Sequence, residues 1–92
     1  MHYLYIIYSY SANKYYVGET VDVSERLQQH KSGYYAGSYT KQAIDWELKL
    51  VLEFDNISQA RKAEAFIKRM NSRKFTEKLI EDSAWLVKKF KI

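Results

Sequence analysis

Glu64, Arg26, His30, Tyr5 and Tyr16 are the residues whose types and spacing admit proton and anion chemistry. Glu64 lies four residues after Ala60 and three before Ile67, which puts its carboxylate on or beside an otherwise apolar helical stripe. There it either pairs with Lys68 one turn on, a weak contact of about 0.3–0.5 kcal/mol when exposed, or serves as an oxygen ligand to a divalent cation. Arg26 and His30 stand four apart, on one helix face with Val23 and Leu27 nearby. Arg26 can pair with Asp22, and His30 can end the helix with a favourable charge at its C-terminal dipole. Tyr5 and Tyr16 are phenols, poor bases at a pKa near 10 unless a cation stabilises the phenolate. Arg26 is a cation that can do so.

Such side chains need elements to hold them. Residues 3–8 and 15–18 are aromatic and β-branched runs joined by the polar turn 9–14, which predicts a β-hairpin. On its first strand Tyr3, Tyr5 and Ile7 share one face, and core packing is the ordinary role of any one such tyrosine. Gly18 suits a strand end or bulge where a side chain would obstruct the turn into the helix. Asp22, with Glu25 three residues on, marks the start of a helix running to His30. Residues 31–45, with Gly33, Gly37, Ser32 and Ser38, read as a long polar loop. Residues 46–54 predict a third strand with Trp46, Leu48, Leu50, Leu52 and Phe54 on one face. From Ser58, a suitable N-cap, Ala60, Ala63, Ile67 and Met70 recur at helical spacing for about three turns. Asn71 and Ser72 interrupt, a further helix follows over 73–81, and Trp85, Leu86, Val87 and Phe90 pack a short last helix or tail onto the body. The order β-β-α-β-α-α predicts an α+β fold, a three-stranded antiparallel sheet flanked by helices.

Composition narrows the classes. Ninety-two residues predict a single domain over 1–92 with one modest core. The absence of cysteine excludes disulfides and cysteine-rich zinc sites, and two histidines are too few for a histidine-built metal centre. No apolar run approaches the ~20 residues that span a bilayer, and no secretory signal opens the chain. No membrane association and a cytoplasmic location are therefore expected. The net charge of +4 is unevenly spread: residues 1–57 hold five Lys or Arg against seven Asp or Glu, and residues 58–92 hold ten against four. A basic C-terminal part is a footprint of a phosphate-bearing partner, and equally of a solvated helix surface. Lys41, Lys68, Arg69, Arg73 and Lys74 on phosphates would bind without sequence preference and with strong salt dependence. Tyr34, Tyr35 and Tyr39 can stack on exposed bases.

Read together, Tyr3-Leu4-Tyr5, Tyr16-Val17-Gly18, Arg26 and His30 resemble the signature of the GIY-YIG nuclease superfamily. The resemblance continues through Tyr39-Thr40, Trp46-Glu47-Leu48, Glu64 with Ile67-Lys68, Ser72-Arg73-Lys74 and Leu79-Ile80, so it covers nearly the whole chain. It is nearest to the small stand-alone bacterial members and to the N-terminal domain of excision-repair nucleases, with DNA repair as the implied setting. Tyr3 stands where the first motif usually has glycine, a departure associated with those small members. The resemblance implies the same α+β domain and a metal-dependent endonuclease acting on DNA phosphodiester bonds, structure-directed or weakly sequence-specific. RNA is an alternative substrate. By the same resemblance Tyr5, Tyr16, Arg26, His30 and Glu64 are catalytic, with the two tyrosine hydroxyls meeting in the active site. Glu64 is then the sole protein ligand of Mg2+ or Mn2+, Arg26 offsets charge on the pentacovalent phosphate, and His30 assists proton transfer or holds the phosphate. Gly18 leaves room near the scissile phosphate, while Tyr39, Thr40, Lys41, Lys68, Arg73 and Lys74 hold substrate. Two alternatives stand beside this: a nucleic-acid-binding module that keeps the fold without activity, and a domain whose basic face binds an acidic protein.

Overall fold

The computed structural model describes residues 1–32 and 43–91. Their elements are β1 (His2–Ser9), β2 (Lys14–Thr20), α1 (Val23–Lys31), β3 (Trp46–Phe54), α2 (Ile57–Met70), α3 (Arg73–Glu81) and α4 (Ala84–Phe90). The three strands form one antiparallel sheet in the order β2-β1-β3. This is the α+β plan that the sequence predicts, with α4 as the short last helix. The strand β1 is central and covered on both faces: Leu4 through Ser9 are all buried. Leu4 and Ile6 face a core with Val17, Leu52, Phe54, Ala60, Ala63, Ile67, Leu79 and Leu86, under α2, α3 and α4. Tyr5 and Ile7 face a second, smaller core with Trp46 and Ala43, covered by Val23 and Leu27 of α1.

The third strand departs from simple alternation. Ile6 pairs with Leu50 but Ile7 pairs with Leu48, so Lys49 is an extra residue and forms a bulge. Because side chains alternate with period two, one inserted residue moves everything beyond it to the opposite face. Leu50, Leu52 and Phe54 therefore join the larger core, whereas Trp46 lies in the smaller one and Leu48 is exposed. The expected five-residue apolar face is corrected accordingly.

Local chemistry sets the ends of the helices. The carboxylate of Asp22 accepts from the Glu25 N–H, so α1 begins at Val23 after β2 has run on to Thr20. In α2 the cap is Asn56, whose side chain accepts from the Gln59 N–H, and the expected start at Ser58 is thus two residues late. Asn71 ends α2 in the left-handed conformation at φ 45°, and Ser72 at once caps α3 by accepting from the Phe75 N–H. These two residues fold α3 back beside the sheet. The segment before β3 is fastened to the β1–β2 turn: the Asp45 carboxylate accepts from the Ser9 and Ser11 hydroxyls and the Ser11 N–H. Those bonds hold the Asp45 pKa down at about 2.

Candidate active site

Antiparallel pairing decides which tyrosines can meet. Tyr5 lies opposite Gly18 and Ile7 opposite Tyr16, so Tyr5, Tyr16 and Gly18 occupy the α1 face of the sheet together. The Tyr5 ring lies across Gly18: a Cβ at that position would be 2.4 Å from Tyr5 Oη and 2.5 Å from Cζ. Gly18 is accordingly a seat for Tyr5 within the strand, paired in register and not at a bulge. From α1, His30 closes the cluster. Its Nε2 is 2.8 Å from Tyr5 Oη, and its ring centroid is 5.1 Å from Tyr16 and 6.4 Å from Trp46. The Tyr5 and Tyr16 rings are 6.3 Å apart.

Burial sorts these groups. Tyr5 is 1% exposed and His30 2%, while Tyr16 is only half-buried. The Tyr5 hydroxyl is thus turned onto His30 inside the protein. Burial also lowers the His30 pKa to about 4, and the charge of Arg26 acts in the same direction. His30 is neutral at pH 7. It is neither a charged helix terminus nor a cation for a phosphate; as an imidazole it can exchange a proton with Tyr5.

Glu64 approaches from the other side of the sheet, on α2. Its carboxylate is largely covered, with 19% of the side chain exposed, and accepts a 2.8 Å hydrogen bond from Lys68 Nζ. That same ammonium lies 5.5 Å from the Tyr16 ring centroid, within the range of cation–π attraction. A continuous path of contacts therefore runs from Glu64 through Lys68 and Tyr16 to His30 and Tyr5, with Arg26 acting on His30. All five residues singled out for catalysis are on or beside it. Lys68 is the residue whose place sequence reasoning missed. Its pairing with Glu64 follows from i, i+4 spacing, but its position over Tyr16, which makes it the link between carboxylate and phenol, has no local signal.

The remaining basic residues divide. Arg73 donates to Tyr8 Oη, to the Asn13 carbonyl and side-chain oxygens and to Glu77, and its guanidinium lies 5.4 Å from the Tyr15 ring centroid. These bonds fasten α3 to the β1–β2 turn and fix where its charge stands. Lys74 is exposed on the first turn of α3. Tyr39, Thr40 and Lys41, with Tyr34 and Tyr35, lie outside the described residues.

The donor set bears on a metal. Among the described residues no three or more His, Asp or Glu side chains gather into a metal cage. Glu64 is one carboxylate at a partly open position, a poor match for zinc but a fit for magnesium, which takes one or two carboxylates and fills its shell with water and phosphate oxygens.

A three-stranded antiparallel sheet with helices on both faces, bearing paired tyrosines, an arginine–histidine helix and a glutamate on α2, defines a class. Residues 1–78 match the GIY-YIG catalytic domain, and the chain belongs to that nuclease family. A UPF0213 protein of Syntrophus aciditrophicus (strain SB) is 39% identical over 69 residues, 75% of this chain and 78% of that one. Another, from Vibrio campbellii (strain ATCC BAA-1116), is 42% identical over 76 residues, 78% of this chain and 67% of its own. The solution NMR structure of a UPF0213 protein from Bacillus halodurans superposes with a TM-score of 0.55 at 30% identity, covering 87% of this chain and 82% of that one. Family membership makes nucleic acid the substrate class. Among the described residues no helix is long and apolar enough to cross a membrane.

Proposed function

We propose that this chain is a divalent-metal-dependent endonuclease that hydrolyses DNA phosphodiester bonds, with Tyr16 as the proton acceptor. The observation that carries the reading is the unbroken path from the Glu64 carboxylate through Lys68 to the Tyr16 ring. Glu64 would hold one Mg2+ or Mn2+, which when bound withdraws charge from the phosphate and the leaving oxygen. Water attacks phosphorus in line with the leaving O3′, the P–O3′ bond breaks, and the proton of the attacking water passes to the Tyr16 oxygen. The leaving oxygen takes a proton from solvent. In this step the Tyr16 oxygen takes the proton as a phenolate, with the Lys68 ammonium beside its ring, and Arg26 offers a fixed cation to the charge that grows on the phosphate oxygens. The buried Tyr5–His30 pair forms the floor on which Tyr16 rests.

The test is cleavage of end-labelled DNA by the purified chain with magnesium, with manganese and with chelator, beside Tyr16→Phe and Tyr5→Phe. The expected result is metal-dependent product from the parent, a loss of about 100-fold or more for Tyr16→Phe, and a smaller loss for Tyr5→Phe. Equal losses for the two variants would remove Tyr16 from its role; no product under any condition would remove the activity. One observation favours a second reading, a binding module without activity: Glu64 is already paired with Lys68. Such a module binds DNA with the same steep salt dependence and is indifferent to magnesium.

A further inference from the structure

Between the outer strand β2 and the joint of α2 with α3 lies a groove of about 600 Å3. It meets the candidate active site at Tyr16 and Lys68, which belong to both. Its floor includes the buried Val17 and Ile67. Its walls carry Lys14, Lys68 and Arg73, the tyrosines Tyr15 and Tyr16, and the polar side chains Asn71 and Ser72. Among the described residues no aspartate or glutamate lines it, although eleven of the chain's residues are acidic. The left-handed Asn71 and the Ser72 cap, where α2 ends and α3 begins, line it as well.

We infer that this groove seats an unpaired nucleotide of the strand being cut, so that the chain acts on single-stranded DNA or on the unpaired arm of a branched one. The inference rests on the nuclease reading and names its substrate. An apolar floor with a few polar groups around it, at a volume in the range of small-ligand pockets, suits one base and its sugar; Lys14, together with Lys68 and Arg73, which pair with Glu64 and Glu77, offers cations to the phosphates on either side. Arg73 is held in place by Tyr8, Asn13 and Glu77, so it is a wall cation whose position is fixed before any strand arrives. A duplex keeps its bases paired and stacked, and its edges are read by elements that project into a groove. Here the protein surface is concave, so a base must leave the stack to enter. That step costs a few kcal/mol in a duplex and least in a strand already unpaired.

The experiment is binding of oligothymidylate eight nucleotides long, of the same length of oligouridylate, and of a fully paired eight-base-pair duplex, followed by amide chemical shifts of the full chain with chelator present. Octathymidylate is expected to bind at least ten times more tightly than the duplex and to shift the amides of Lys14, Tyr15, Asn71 and Ser72. Lys14→Glu is expected to weaken that binding about ten-fold, and binding unchanged in this variant would overturn the inference. Duplex binding as tight as the single strand, or shifts confined to other surfaces, would overturn the inference, as would tighter binding of the uridylate. Loss of phosphodiester hydrolysis in the parent, with octathymidylate still shifting the groove amides, would overturn the nuclease reading and leave the groove assignment standing.

Discussion

Replacing Gly18 with alanine tests how the site is built. The added Cβ would lie 2.4 Å from Tyr5 Oη, 2.5 Å from Cζ and 2.8 Å from Cε1, whereas carbon atoms pack at about 3.5–4.0 Å. The tyrosine must therefore retreat by about 1 Å. Its neighbours on that face include Ile7, Trp46 and His30, each no more than 2% exposed, so only the half-buried Tyr16, Val23 and Leu27 can yield to the movement. Overpacking of this kind costs about 1–3 kcal/mol. A 1 Å displacement also stretches the 2.8 Å contact of Tyr5 with His30 past hydrogen-bonding range. The assay is urea unfolding of Gly18→Ala, Tyr5→Leu and the double variant. Leucine lacks the three offending atoms, so the alanine should cost about 2 kcal/mol in the parent and under about 0.5 kcal/mol in the Tyr5→Leu background, a coupling of more than 1 kcal/mol. Equal cost in both backgrounds, or a parent-like Gly18→Ala, would refute the seat.

Three further outcomes follow from the same geometry. His30 has a folded pKa near 4 against 6.5 when unfolded, so the unfolded chain binds the extra proton first: its share of stability is whole above pH 6.5 and shrinks as pH falls toward 4. The full difference is about 3 kcal/mol, and about 2 kcal/mol is expected with partial water access; unfolding free energies at pH 7.5 and pH 4.5 should show it, and His30→Gln should flatten the curve. Lys68→Met removes the ammonium that competes for Glu64, so it should tighten Mn2+ binding several-fold, measured by water-proton relaxation, while changing stability by less than about 0.5 kcal/mol; unchanged binding would separate Glu64 from the metal. Arg73→Met releases α3 from the hairpin turn and should lower Tm and expose the turn at Asn13 to protease, an effect that a purely substrate-holding arginine would not have.

The plan of the fold was legible because its signals are local. Aromatic and β-branched runs, the Asp22 cap and the spacing of Ala60, Ala63 and Ile67 each act within a few residues. The bulge at Lys49 was not legible, since Trp46-Glu47-Leu48-Lys49-Leu50 alternates without a flaw; only pairing with β1 shows that one residue is surplus. Ser58 and Asn56 are both good caps, and the choice fell to Asn56 because Ile57 already belongs to the helix. At the site, residue types were legible and their exposure was not. Tyr5 and Tyr16 look alike in sequence, yet Tyr5 belongs to the central strand and Tyr16 to an edge strand, so one is buried on His30 and the other meets Lys68. The role of Gly18 depends on a residue thirteen positions earlier, which no local pattern records.

The central measurement is cleavage of labelled single-stranded, branched and duplex DNA by the parent and by Glu64→Ala, with magnesium and with chelator, after confirming that the variant unfolds within about 1 kcal/mol of the parent. Magnesium-dependent product from the parent, greatest on unpaired strands, and none from Glu64→Ala is the outcome expected. Metal-dependent cleavage retained by Glu64→Ala would contradict the assignment of the active site.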